Sequence, residues 1–162
     1  MLFWLNILAA TGRSVEDLVR AHWARFGRNY YSRHDYEAVD TGAAETLMTA
    51  LRAKLPGLAG QQLEGHLVAL ADDFSYTDPV DGSVTTGQGV RLVFADGSRI
   101  VFRLSGTGTE GATLRVYLER YEADLARQDI PTQTALAPLI GMAERFARIV
   151  HHTGRHGPSV VT

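Results

Sequence analysis

The stretch Val90-Arg-Leu-Val-Phe-Ala-Asp-Gly-Ser-Arg-Ile-Val-Phe-Arg-Leu-Ser-Gly-Thr-Gly-Thr-Glu-Gly-Ala-Thr-Leu-Arg115 decides how this chain folds. Val90, Leu92 and Phe94 recur at every second position, and so do Ile100, Phe102 and Leu104. A period of two places each set on one side of a strand. Between the two sets, Ala95-Asp96-Gly97 is a turn signal, so Val90–Phe94 and Ser98–Leu104 are expected to form a hairpin. The alternation resumes over Thr113–Tyr121, with Leu114, Val116 and Leu118 opposite Arg115, Tyr117 and Glu119. Three successive strands, each apolar on one side, predict an antiparallel sheet that covers a core with one face and leaves the other wetter.

Upstream, a strand is expected around His66–Asp72, followed by an irregular segment from Asp73 to Ser83. Asp40 or Thr41 caps a helix with Ala44, Leu47, Met48, Leu51 and Leu55 as its apolar stripe, and Pro56-Gly57 ends it. Before it, Arg28–Val39 is aromatic, polar and extended, and reads as a strand. Ser14 and Asp17 form a capping box for a helix that Gly27 stops. Residues 2–10 read as a short apolar helix. Downstream, a helix of about Thr132–His152 turns Leu136, Leu139, Ile140, Ala143, Phe146, Ala147 and Val150 inward, with Pro138 in its first turns or kinking it. The order β-α-β-β-β-β-α predicts an α+β fold, a mostly antiparallel sheet with helices packed on one face. The change of character after Gly27 divides the chain into a helical segment, 1–29, and a main domain, 30–162.

At 162 residues the chain is long enough for one domain with a real core. Its composition, 45% hydrophobic and 21% charged, is that of a globular protein. A formal charge of −2 argues against a general nucleic-acid or membrane-surface role, so any anion site must be local. There are no cysteines, which excludes disulfide scaffolds and thiol catalysis and suits the cytoplasm. The opening Met-Leu-Phe-Trp-Leu-Asn-Ile-Leu lacks the basic lead of a signal peptide, and at this length it cannot span a bilayer, which takes roughly 20 apolar residues. It is expected to be a helix whose packing partners lie in a longer polypeptide.

Between the last two strands, Arg103-Leu-Ser-Gly-Thr-Gly-Thr-Glu-Gly-Ala-Thr-Leu-Arg115 collects what a phosphate monoester needs. Gly106, Gly108 and Gly111 allow positive φ and a concavity of N–H groups. Ser105, Thr107 and Thr109 supply hydroxyl donors, and each arginine can meet phosphate with two charge-assisted hydrogen bonds. A Gly/Ser/Thr loop alone would read as a plain hairpin connection. Two arginines, both opposite their strands' apolar residues and so able to reach one exposed site, favour phosphate.

Other clusters carry less. His151, His152 and His156 sit in a tail with no carboxylate beside them and read as exposed. Asp78 and Asp81 have calcium-loop spacing without the remaining oxygen ligands, so Asp78-Pro-Val-Asp-Gly82 reads as a turn. Asp72-Asp73 reads as a strand end. Arg33, Asp35 and Glu37 share one strand face with His34 pointing away, which reads as an inter-domain ion-pair strip rather than a catalytic cluster. No nucleophile elbow, Walker loop or metal-binding carboxylate set is present. The residues can hold a phosphate and show nothing with which to transfer it.

The phosphate loop resembles that of the phosphoglucomutase branch of the α-D-phosphohexomutases, in the longer Ser105-Gly-Thr-Gly-Thr-Glu-Gly111 form. Phe3-Trp-Leu-Asn-Ile-Leu-Ala9, Gly27-Arg-Asn-Tyr-Tyr-Ser-Arg-His-Asp-Tyr-Glu37, Tyr76-Thr-Asp-Pro-Val-Asp-Gly-Ser83 and Pro158-Ser-Val-Val-Thr162 fit the same family. The resemblance implies a TBP-like fourth domain, 30–162, preceded by the last helices of a third domain, with the other three domains of the parent chain as its partners. It implies an isomerase that interconverts glucose 1-phosphate and glucose 6-phosphate through glucose 1,6-bisphosphate, with Mg²⁺ and a phosphoserine. The family's Thr-x-Ser-His, Asp-Gly-Asp and Gly-Glu-Glu-Ser loops are absent here, so transfer chemistry and metal are implied for the parent, and the isolated piece is expected to be inactive. Carried over residue by residue, Arg103, Ser105, Gly106, Thr107 and Thr109 become ligands of the non-reacting phosphate of a phosphosugar substrate. Arg115 becomes their support, Glu110 must point outward, and a hinge is expected near Tyr30–Tyr36. The alternative is a stand-alone anion-binding regulatory module without catalysis.

Overall fold

The computed structural model describes residues 2–108 and 111–162, with the backbone alone at Thr107 and Gly108. Helices α1 (Leu2–Thr11) and α2 (Val15–Phe26) lead into strand β1 (Arg28–Val39). Ser14 caps α2 by accepting from the Asp17 N–H, and Gly27 ends it at φ +83. Helix α3 (Thr41–Lys54) starts at Asp40, whose carboxylate accepts from the Ala43 N–H. Then come β2 (Gln62–Leu63), β3 (His66–Asp73), β4 (Tyr76–Thr77), β5 (Val84–Thr85), β6 (Val90–Phe94), β7 (Arg99–Gly108) and β8 (Gly111–Glu122). Helices α4 (Thr132–Ala147) and α5 (Ile149–Thr153) and strand β9 (Val160–Val161) complete the chain.

The main sheet has seven strands in the order β2-β3-β6-β7-β8-β1-β9, every neighbour antiparallel; β4 and β5 form a separate small hairpin. The expected alternation decides its faces. Val90, Leu92, Phe94, Ile100, Phe102, Leu114, Val116 and Leu118 are all buried, on the side covered by α3 and α4. Ala44, Leu47, Met48 and Leu51 of α3 meet them from above, as do Leu136, Leu139 and Ala143 of α4. The side chain of β1 that faces this layer at its end, Tyr36, is 1% exposed. Burial, reinforced by the Glu144 carboxylate beside it, pushes the Tyr36 phenol far above its ordinary range, so its hydroxyl stays neutral.

Two expectations are corrected. The last helix does not run unbroken to His152: Arg148 takes a left-handed conformation, φ 49, and splits it into α4 and α5. The break rotates the helical phase, so Ile149 is buried and Val150 is exposed. The segment after Gly154 is not a loose tail, because β9 pairs with β1 at His34 and Asp35. Tyr30–Tyr36, expected as a hinge, is the inside of a strand paired residue by residue with β8. Gly27, at φ +83, immediately precedes that strand.

Candidate functional site

On the face away from the helices, register fixes three rows of side chains. Asp35, Arg115 and Arg103 lie opposite one another across β1, β8 and β7. Arg33, Tyr117, Val101 and Arg91 form the next row, and Tyr31, Glu119 and Arg99 the one beyond. The two arginines predicted from strand parity therefore do share one open face and stand directly opposite each other. Ser105 and Thr113 form the following pair toward the connection, on the same face.

Past Ser105 the ladder slips. Gly106 is the extra residue of a bulge between Ser105 and Thr107, at φ +69, which turns the backbone as β7 approaches the connection. Gly111, at φ +92, opens β8 where a Cβ would come within 2.7 Å of the Val39 carbonyl oxygen. Only glycine allows β1 that close. The structure thus places Arg103, Ser105 and Gly106 at the mouth of the connection and Arg115 beside them. Thr109, Glu110 and the side chain of Thr107 lie outside the described residues.

The two arginines are held differently. Arg103 donates through Nη2 to Gln88 Oε1 at 3.3 Å and lies 5.9 Å from the centroid of the Phe74 ring. No carboxylate among the described residues pairs with it. Arg115 has a counter-ion, Asp35, with Nε and Oδ2 3.8 Å apart. Their neighbours are neutralised: Arg91 makes a two-pronged pair with Asp72 at 3.0 and 2.7 Å, and Arg99 pairs with Glu119. Positive charge on this face is therefore concentrated at the connection, where the hydroxyl and backbone donors are. Register also explains why: Asp72, Glu119 and Asp35 stand opposite Arg91, Arg99 and Arg115, and no carboxylate stands opposite Arg103.

Beside Arg103 the open face sinks into a groove of about 330 Å³ lined by Tyr31, Phe74, Arg91, Val101 and Tyr117 among others. Its floor is aromatic and aliphatic and its rim charged, which suits the non-phosphate part of a small phosphorylated molecule. Phe74 and Gln88, which flank Arg103, were not singled out from the sequence. They belong to the segment around β4 and β5 that shows no strand periodicity, so no pattern pointed to them. His34, as expected, faces the other way: its Nε2 donates to Gln133 Oε1 at 3.0 Å, within the helix-side layer. Among the described residues there is no group of three or more His, Cys, Asp or Glu side chains that could hold a metal ion. Nor is any described helix long and apolar enough to cross a membrane.

Comparisons with known proteins identify the family of the chain. A family model described as "Phosphoglucomutase-1, C-terminal domain" matches residues 28–159, beginning at the first residue of β1. Phosphoglucomutase from Rhizobium radiobacter is 59% identical over 162 residues, covering 100% of this chain and 30% of that protein. Phosphoglucomutase-1 from Homo sapiens is 46% identical over 168 residues, again with 100% of this chain and 30% of the other covered. Among solved structures, the open form of the exocytosis-sensitive phosphoprotein pp63/parafusin, a phosphoglucomutase from Paramecium, superposes with a TM-score of 0.85 at 45% identity, over 98% of this chain and 28% of that one. The chain thus spans about 30% of the length of the curated relatives it matches. This chain belongs to the phosphoglucomutase family, and it corresponds to that family's C-terminal region.

Proposed function

We propose that this chain is the phosphate-gripping domain of a cytoplasmic phosphoglucomutase, which interconverts glucose 1-phosphate and glucose 6-phosphate through glucose 1,6-bisphosphate. In this reading Arg103, Ser105, the Gly106 backbone, Thr107 and Thr109 hold the phosphate that is not reacting, and Arg115 supports them. The phosphoserine and Mg²⁺ that transfer the other phosphate belong to the remaining domains of the parent. Supporting the reading, Arg103 is a cation with no carboxylate partner among the described residues, placed at the mouth of a glycine connection and directly opposite a second arginine.

The chemistry follows from that placement. A phosphate monoester carries between 1.5 and 2 negative charges near neutral pH. Two guanidinium groups on one face can meet it with parallel N–H donors, and Ser105 adds a hydroxyl from the adjacent pair on the same face. Binding energy collected at this remote phosphate orients the reacting end, because the two ends are parts of one molecule. The apolar floor of the groove beside Arg103 leaves room for the sugar without demanding one orientation of it.

Substitution of Arg103 tests this directly. In the full-length parent, Arg103→Ala is expected to keep the fold, since the side chain lies on the open face. Loss of one charge-assisted pair is expected to weaken glucose 6-phosphate binding by about 1.5–3 kcal/mol. Arg103→Lys should recover only part of that, because a planar fork becomes a point charge. Calorimetric binding of glucose 6-phosphate by Arg103→Ala equal to wild type would remove the clamp assignment.

A further inference from the structure

Asp35 is a carboxylate on the open face of the sheet, yet its side chain is only 5% exposed. Its Oδ1 lies 2.9 Å from Arg33 Nε and its Oδ2 lies 3.8 Å from Arg115 Nε. Neither contact is a hydrogen bond: Asp35 Oδ1, Arg33 Nε and Arg115 Nε are all buried without a hydrogen-bond partner. A buried carboxylate held by charge alone is an expensive way to stabilise a fold, since apolar residues of similar size would serve as well or better. The arrangement therefore calls for a use beyond stability.

The main chain at Asp35 is rigid. It is paired to β8 on one side and β9 on the other, and its carbonyl accepts from the Ser159 N–H at 2.7 Å. The carboxylate stands opposite Arg115 in register and approaches it from the Nε edge. Among the described residues nothing accepts from the Nη groups of Arg115, so the end of its fork is left for a ligand. Arg33 sits two residues away on the same face and occupies the other carboxylate oxygen. Together Arg33, Arg103, Arg115 and Asp35 leave two formal positive charges, the count a phosphate dianion matches.

We propose that Asp35, held by Arg33, is a positioning residue that aims the guanidinium of Arg115 at the phosphate and sets the charge of the clamp. The proposal rests on the clamp reading above and goes beyond it by assigning a task to β1, which the phosphate loop does not include. If Asp35 acts through Arg115, removing either should cost the same interaction, and removing both should cost it once.

The test is a double-mutant cycle in the full-length parent, with KM for glucose 1-phosphate and melting temperature measured for every variant. Asp35→Asn keeps the shape and removes the charge. Arg115→Ala and Asp35→Asn are each expected to raise KM about tenfold, the effect of losing one charge-assisted contact. The double variant is expected to match Arg115→Ala alone, because the two positions share one interaction. Arg33→Gln, which loosens the carboxylate without removing it, should raise KM less and be masked in the same way by Arg115→Ala; it stands in if Asp35→Asn fails to fold. Effects that multiply in the double variant, or a lowered melting temperature with an unchanged KM, would overturn the proposal and leave the triad a structural ion cluster. Arg103→Ala run alongside separates the two readings: if it too leaves KM unchanged, the clamp itself has failed, whereas an impaired Arg103→Ala beside an unaffected Asp35→Asn refutes only the role of Asp35.

Discussion

Gly89 shows how closely the residue scale is tied to the site. It has φ +153, and a Cβ there would lie 2.6 Å from the Phe102 carbonyl oxygen and 2.7 Å from Arg103 Cγ. Gly89 therefore lets β6 begin against β7 while Arg103 keeps its place over Phe74 and Gln88. Gly89→Ala is expected to push Arg103 aside and strain the backbone by about 1–3 kcal/mol. Its melting point should fall, and its affinity for glucose 6-phosphate should fall several-fold more than that of a control such as Gly97→Ala, whose Cβ would meet nothing within 4 Å. Equal affinities in the two variants, measured by titration, would show that Gly89 serves the strand and not the arginine. At this scale the site was half legible. Strand parity alone placed Arg103 and Arg115 on one face, because alternation is a local property. Asp35 was read as part of a strip between domains. Its pair with Arg33 is local, at 2.9 Å, but its second partner, Arg115, lies far along the chain, and only the β1–β8 register brings the two together.

Helices and strands with strong periodicity were read nearly to the residue: α2 with its Ser14 cap, β1, α3, and the β6–β7 hairpin all fall where the pattern put them. The errors are where periodicity is weak or misleading. A two-residue strand such as β9 has no alternation to read; pairing with β1 creates it. The α4–α5 break hides because Val150 continues the apolar spacing of α4 even though it ends up exposed. Arg148 takes the left-handed turn there with an exposed side chain, so it pays a conformational cost and buries nothing in return. Arg148→Gly is expected to stabilise the domain by about 0.5–1 kcal/mol, because glycine adopts this conformation without steric penalty. For a domain of this size that is a rise of roughly 1–4 °C in melting temperature. A lower melting temperature would mean that the Arg148 side chain contributes contacts that outweigh its backbone strain.

For the whole molecule, the decisive observation is where the core ends. Every fully buried apolar side chain among the described residues lies between Tyr30 and Ile149, and none comes from α1 or α2. Leu2 and Phe3 are 77% and 75% exposed, and Trp4 and Leu5 more than half. Residues 2–26 touch the sheet domain through a few surface contacts: the Arg20–Asp129 ion pair, the Tyr121 hydroxyl donating to the Phe26 carbonyl at 2.9 Å, and Arg28 stacked between Trp23 and Tyr30. Exposed ion pairs contribute at most about 1 kcal/mol each, so the sheet domain does not depend on the helices for its stability. The helices, for their part, carry an apolar surface that the sheet does not cover, which in water favours association. A chain beginning at Gly27 is therefore expected to melt cooperatively within a few degrees of the 162-residue chain. It should stay monomeric in sedimentation at concentrations where the longer chain self-associates. It should also keep the proposed phosphate site, since Arg103, Ser105, Gly106, Arg115 and Asp35 all belong to the sheet. Loss of cooperative melting on removing residues 1–26 would show that α1 and α2 complete the fold. Self-association that persists without them would move the sticky surface onto the sheet domain itself, where the open groove beside Arg103 is the next apolar face available.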